Sequence, residues 1–182
     1  PRRGLVGSPG GHYAGSGRAA TVRPDDMRRH RKGATRAMTS KVKITTTQHE
    51  GRTLASSGSP WEGTIGYSRA VRVRDQIHVT GTVGVEADGK YAPTLAGQSR
   101  RAFTIIAAAL EALGGKLSDV VRTRIYVTDI SQWKEVGQVH GELFGEIRPA
   151  LTMVQVSALI DAEALVEIEV EAVLHDEDPR LA

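Results

Sequence analysis

The sequence predicts a two-layer α+β domain in which two helices pack on one face of a single sheet. Two observations predict it. Apolar residues alternate with polar ones over several short segments, which is the period of a strand, and two longer segments repeat their apolar residues at helical spacing. These segments follow one another in the order β-β-α-β-α-β-β, so both helices can cover the apolar face of one shared sheet.

The first half of this region is a β-hairpin followed by a helix. Asp75 marks the hairpin turn, and the apolar residues that alternate around it are Val71, Val73, Ile77 and Val79. We also expect a short extra strand near residues 83–85. The helix should run from about Leu95 to Leu113, because Gly114 and Gly115 supply a left-handed stop. The preceding segment 59–62, which contains Trp61, is expected to be a loop.

The second half contains three strands and a second helix. The strand at Val120–Val127 should direct Val121, Thr123, Ile125 and Val127 to the helices. The helix begins after Asp129 or Ser131, either of which can cap it, and stops at Gly145. Its apolar stripe includes His140, which is expected to be a packed histidine. The last two strands are predicted at residues 150–157 and 165–174.

The opposite face of the sheet should be mixed in character. We expect it to carry Arg122, Arg124, Tyr126, Leu151, Met153, Glu167, Glu169 and Glu171. Such a face can be solvent surface with cross-strand ion pairs, or another subunit can cover it. We favour a closed symmetric oligomer, because several apolar side chains on a flat sheet promote association.

Composition excludes several classes of function. The chain has no cysteine, so disulfides, a thiolate nucleophile and cysteine-ligated metal centres are excluded. Its six histidines show no paired spacing and its glycines form no phosphate-binding loop, so neither a metal nor a cofactor is expected. No apolar run approaches the ~20 residues that cross a bilayer, so we expect no membrane partner.

Charge divides the chain into two parts. Residues 1–43 carry 11 Lys or Arg against 2 acidic residues, whereas the remainder carries 13 basic and 19 acidic residues. We therefore expect a Gly/Arg-rich disordered tail at 1–43 and a folded domain at 44–178, with nucleic acid binding restricted to the tail. Met38 reads like a natural start, which favours residues 1–37 being non-native over their being a functional arm. A cytoplasmic location is expected.

Six short motifs, in matching order and spacing, resemble the RidA family, which is also called YjgF or L-PSP. The resemblance spans about residues 59–174. The motifs are Gly66–Val71, Val79–Thr82, Asp119–Asp129, Phe144–Glu146, Pro149–Ala150 and Leu165–Glu169.

This resemblance implies a chorismate-mutase-like subunit in a homotrimer with a barrel-like centre. Ligand pockets for a small metabolite would lie in the clefts between subunits. The activity it implies is cofactor-free hydrolysis of enamines and imines of the 2-aminoacrylate type, giving a 2-keto acid and ammonia. Some members are instead described as ribonucleases or inhibitors of translation.

The resemblance also assigns site residues. Glu167 would be the catalytic carboxylate, with Glu169 in reserve. The expected ligand-binding residues are Tyr67, Thr80, Gly81, Arg148, Leu151 and Met153. Leu151 occupies the position of the family's substrate-binding arginine and offers no donor to a carboxylate, so standard 2-iminoacid deamination is not favoured. Arg148, Arg122 and Arg124 are candidate replacements, and a non-catalytic binding trimer or a ribonuclease is the alternative function.

Overall fold

The computed structural model describes residues 42–175, which form a seven-stranded mixed sheet with helices on one face. The tail predicted at 1–43 lies outside the described residues up to position 41. The strands are β1 (Thr45–His49), β2 (Arg52–Ser56), β3 (Ala70–Val73), β4 (Gln76–Val83), β5 (Val120–Val127), β6 (Ala150–Gln155) and β7 (Val166–Val173). They lie in the order β1-β2-β3-β4-β7-β5-β6, and the β5–β6 pair is parallel.

Within residues 42–175, three α-helices connect these strands: α1 (Pro60–Ile65), α2 (Leu95–Ala112) and α3 (Trp133–Phe144). The two long helices are those that the sequence predicts, with ends within one residue of the expected stops. Gly114 has a φ of 84°, which is the left-handed conformation expected after α2. Asp129 Oδ1 accepts from the backbone N–H of Ser131 at 2.9 Å and so caps the short 3-10 turn that leads into α3.

The core lies between the sheet and helices α2 and α3. Phe103 and Phe144 are fully buried there, with their rings packed edge to face at 5.4 Å between centroids. The strands contribute Ile77, Ile125 and Ile168, each 0% exposed. Because each strand alternates its side chains, the residues between these positions point to the other face, which we call the open face.

The first two strands and α1 are absent from the sequence prediction. β1 is exposed at every residue and has a polar sequence, TTTQH, so it lacks the alternating apolar pattern that identifies a strand. Segment 59–62, expected to be a loop, belongs instead to the start of α1, whose N-cap Ser59 accepts from the backbone of Trp61. The extra strand expected near 83–85 is reduced to an isolated bridge between Val85 and Tyr91.

Two predictions about side-chain direction are wrong. Val120 rather than Val121 faces the helices, because the register shifts between Val120 and Arg122 and leaves Val121 41% exposed. Leu151 and Met153 were expected on the open face but belong to the helix face. In the parallel β5–β6 pair they lie opposite Thr123 and Ile125, both fully buried, and Met153 packs against the core.

None of the helices among the described residues is long and apolar enough to span a membrane.

Candidate functional site

A cavity of about 500 Å³ opens on strands β2, β3 and β4. Predicted residues Tyr67 and Thr80 both line it. Among the described residues the lining is Arg52, Leu54, Gly66, Tyr67, Ser68, Val71, His78, Val79 and Thr80. It combines apolar side chains with hydroxyl groups and two basic side chains, and no carboxylate of residues 42–175 belongs to it, so the cavity suits a small neutral or anionic ligand.

A buried carboxylate supports the loop that presents Tyr67. The Glu62 side chain accepts from the Ser56 hydroxyl, and it accepts from Ser57 through the backbone N–H at 3.0 Å and the hydroxyl at 2.7 Å. Burial raises the pKa of Glu62, but these hydrogen bonds and the charge of Arg69 outweigh it and hold the pKa below its usual value. Glu62 therefore stays ionised and ties α1 to the end of β2.

Glu167 lies against Gly81 at an irregular point in the sheet. The β4–β7 register shifts between Val79 and Thr82, and this shift places Gly81 beneath the Glu167 side chain. A Cβ atom added at Gly81 would lie 2.9 Å from Glu167 Cδ and closer still to its Oε1. Glycine is therefore required here for space, so that the carboxylate can lie on the backbone next to cavity residue Thr80.

The environment of Glu167 differs from that of the reserve candidate Glu169. Burial raises the pKa of Glu167, the charge of Glu169 adds to this, and Arg69 opposes it. Glu169 lies 3.5 Å from both Arg124 Nη1 and the Tyr126 hydroxyl. Because Glu169 is engaged by these partners and Glu167 has no ion pair with a described residue, Glu167 is better suited to take a proton from water.

The two arginines that β5 contributes to the open face are already paired. Arg124 Nη1 lies 2.8 Å from Glu171, and Arg122 Nε lies 3.5 Å from the same side chain. Glu171 thus competes with any substrate carboxylate for both cations. Arg148, the remaining candidate, is exposed and has a φ of 56° just after α3.

A single chain does not bring all the predicted site residues together. Tyr67 and Thr80 line the cavity, and Glu167 lies against Gly81, the residue next to Thr80. Leu151 and Met153 lie on the helix face of β6, which is the edge strand at the far side of the sheet. Leu151 is 44% exposed there and donates nothing, so within one chain it has no contact with the cavity.

The sequence prediction did not single out Arg69 as a site residue. It is nine-tenths buried, and its Nη1 donates to the carbonyl of Gly81 and to the hydroxyl of Thr82, both at 3.0 Å. Its guanidinium lies 5.9 Å from the centroid of the Tyr67 ring. A charged side chain at the start of a strand is normally exposed, so the sequence gives little reason to place Arg69 in a site. The one feature that could have identified it is its position between Tyr67 and the apolar strand β3.

His140 is a packed histidine, as expected. Its ring lies 4.7 Å from that of Phe144, and its Nε2 is 3.1 Å from the Thr123 hydroxyl. Burial lowers its pKa, so the ring is neutral at pH 7. Within residues 42–175 no three His, Asp or Glu side chains are grouped so that they could hold a metal ion.

Comparisons with known proteins identify the family and agree with the α+β fold. Residues 59–174 match the family model described as "Endoribonuclease L-PSP". A crystal structure from Mycobacterium tuberculosis, described as a member of the YjgF/YER057c/UK114 family, is 51% identical with a TM-score of 0.64, covering 68% of this chain and 99% of that one.

Two curated relatives are named 2-iminobutanoate/2-iminopropanoate deaminase. The protein from Dermatophagoides farinae is 32% identical over 57% of this chain and 86% of its own length. The protein from Bos taurus is 34% identical over 59% of this chain and 79% of its own length.

Proposed function

The chain belongs to the endoribonuclease L-PSP family, also called RidA or YjgF, and from that premise we propose that it hydrolyses an enamine or imine without a cofactor. One observation carries the proposal. The half-buried Glu167 carboxylate lies on Gly81 and has no ion pair with a described residue, and Gly81 is next in the chain to Thr80, which lines a cavity that suits a small ligand. Two relatives bear the name of an imine deaminase, which supports this class of reaction.

In the proposed reaction Glu167 acts as general base and then as general acid. It takes a proton from water while the water oxygen bonds to the imine carbon and the C=N electrons move to nitrogen, and it passes that proton to the nitrogen. Glu167 then takes the proton of the new hydroxyl group as the carbonyl forms and the C–N bond breaks, and it gives this proton to the departing nitrogen, which leaves as ammonia. A raised pKa suits this double role, because the group must both accept and release a proton near neutral pH.

We propose that the active assembly is a homotrimer with the pocket completed by a neighbouring subunit. Val154 is 40% exposed on the open face beside Tyr126, so apolar surface is available for burial. Light scattering should give a mass about three times 19.5 kDa. A single-chain mass at micromolar concentration would contradict this assembly.

We propose that the preferred substrate, unlike 2-iminopropanoate, does not rely on a carboxylate group for binding. Leu151 provides no donor at the position of the family's arginine, and Glu171 already engages Arg122 and Arg124. A carboxylate at the position that the family's arginine would serve is left without a cation there, and burying it unpaired would cost several kcal/mol. We therefore expect slow turnover of 2-iminopropanoate, and faster turnover of imines that lack the acid group.

The test compares two neighbouring carboxylates. 2-Aminoacrylate is generated enzymatically, pyruvate release is followed, and the same assay is run with uncharged imines. Glu167→Gln should lower kcat about 100-fold or more, the usual range for a lost general base. Glu169→Gln is the matched control and should retain most of the activity. Equal losses in both variants, or full activity of Glu167→Gln, would contradict the assignment.

The alternative is a binding protein without turnover. The absence of a donor at Leu151 favours it, since binding of a neutral ligand needs no anion anchor. Tight binding of small neutral metabolites together with no turnover of any imine would support this second function. The ribonuclease activity implied by some family members remains a further prediction, and the acidic balance of residues 44–182 opposes it.

A further inference from the structure

The charge of Arg69 acts on two carboxylates that belong to different parts of the site, the buried Glu62 and the half-buried Glu167. Glu62 fixes the loop that carries Tyr67, and Glu167 is the proposed general base. The charge of Arg69 acts on both: it helps to lower the pKa of Glu62 and opposes the rise in the pKa of Glu167. Neither carboxylate forms a direct ion pair with Arg69 among the described residues, so the cation acts on both through space and through the backbone.

The hydrogen bonds of Arg69 explain how it controls the geometry. Its Nη1 holds the carbonyl of Gly81, and the Glu167 carboxylate lies on the Cα of that same residue. The second acceptor, the Thr82 hydroxyl, itself donates to the carbonyl of Thr80 at 2.8 Å. One guanidinium therefore fixes the irregular stretch of β4 between cavity residue Thr80 and the strand that follows.

Arg69 also has an unused donor. Its Nε is buried and has no hydrogen-bond partner among the described residues, which is costly for a charged group. An arginine side chain can usually extend its guanidinium to solvent, so packing of the aliphatic part of Arg69 would not by itself require the guanidinium to be buried here. A cation retained in this position at such a cost indicates a role beyond surface charge.

We propose that Arg69 is a positioning residue that seats Glu167 on Gly81 by holding the Gly81 carbonyl. It does not touch the reacting atoms and acts through Gly81 and through its charge. This inference rests on the proposed role of Glu167, but the effect of Arg69 on the titration of Glu167 can be measured without any substrate.

Other charged groups near Glu167 set the background for this measurement. Glu169 lies on the same strand, and Tyr126 lies opposite on β5 with Arg124 beside it. Tyr91, in the loop after β4, hydrogen-bonds to Asp161. Burial, that hydrogen bond and the charges of Asp161, Glu163 and Glu167 raise the pKa of Tyr91 to about 12, so it stays neutral at ordinary pH. Among the described residues, Arg69 is the cation whose charge acts on Glu167.

The experiment follows the Glu167 carboxyl carbon by NMR in ligand-free, full-length protein labelled with ¹³C-glutamate. Glu167→Gln assigns the signal. Arg69→Gln should move the Glu167 titration to higher pH, because the opposing cation is lost, and Arg69→Lys should return it most of the way. Arg100→Gln is the charge-matched control, since Arg100 pairs with Glu142 on the helix layer and should leave the titration unchanged.

A milder variant covers the case in which Arg69→Gln does not fold. Thr82→Val removes one acceptor of Arg69 without changing size, and it should give a smaller shift in the same direction. Where an imine substrate is available, the low-pH limb of the kcat profile should shift with the NMR midpoint, giving about a tenfold loss on the acid side. An unchanged Glu167 titration in both Arg69→Gln and Thr82→Val would overturn the role of Arg69. A shifted titration in a protein without turnover would leave Arg69 supported and count against the proposed hydrolysis.

Discussion

Replacing Gly81 by alanine should inactivate the site without unfolding the protein. An added Cβ would lie 2.9 Å from Glu167 Cδ and 3.2 Å from its Cγ, with Oε1 closer still, whereas carbon atoms in ordinary contact are ~3.5–4.0 Å apart. All three atoms belong to one flexible side chain, so Glu167 can rotate away at a cost of about 1 kcal/mol. Gly81 has no positive φ, so alanine adds no backbone strain there.

The functional cost should be much larger than this stability cost. The Glu167 carboxylate must move by about 1 Å or more, and a displacement of that size at a reacting group can lower the rate about 100-fold. The assay measures kcat on the best imine substrate together with the midpoint of thermal unfolding. We expect a large loss of kcat and a change of a few degrees or less in the midpoint.

Two other glycines provide controls. At Gly84 a Cβ would lie 2.7 Å from the backbone carbonyl carbon and Cα of Gln98, which cannot move aside, so Gly84→Ala should destabilise the whole fold. Gly141 in α3 has open space, and alanine there should stabilise by up to about 1 kcal/mol. Unchanged kcat in Gly81→Ala, with Glu167 still titrating as in the unaltered protein, would refute the placement of Glu167 on Gly81.

Three further predictions concern charge. The folded protein holds the pKa of Glu62 below 4.5, so the stability that ionised Glu62 contributes is present above pH 4.5 and is lost on acidification. Urea titrations should therefore show a smaller fall in the free energy of unfolding at acid pH for Glu62→Gln than for the unaltered protein. His140 has a lowered pKa, so its NMR midpoint should lie below 6.5 and stability should fall as the pH drops through 6.5. Arg52→Gln should weaken binding of a small carboxylate to the cavity about tenfold and leave the matching amide unaffected, with Arg74→Gln at the hairpin tip as control. Equal effects on acid and amide would contradict an anion-binding role for Arg52.

The main elements of the fold could be predicted because their patterns are local. The stripes of α2 and α3 and the alternation in β4 and β7 each identify a buried face within a few residues, and all four elements occur where expected. β1 could not be predicted, because it gains its backbone hydrogen bonds from β2 while burying none of its side chains. A strand of this kind shows no apolar periodicity in the sequence by which it could be recognised.

The register between parallel strands is the second feature that the sequence could not predict. The direction of Leu151 depends on which residue of β5 it faces, and a shift of one position would reverse it. In an antiparallel hairpin the turn sets this register, but β5 and β6 are parallel and are separated by α3. The sequence between them therefore could not show that Leu151 lies opposite the buried Thr123.

The position of Leu151 changes what its identity means for the site. Within one chain it is separated from Glu167 by the sheet itself, so the substitution of leucine for the family's arginine cannot affect the chain's own cavity directly. The argument against carboxylate substrates therefore applies only if a second copy brings its β6 edge to the cavity formed by Tyr67 and Thr80. The proposed trimer and the proposed substrate preference consequently depend on the same contact. Arg69, in contrast, acts on Glu167 inside a single chain, so its role holds in any assembly.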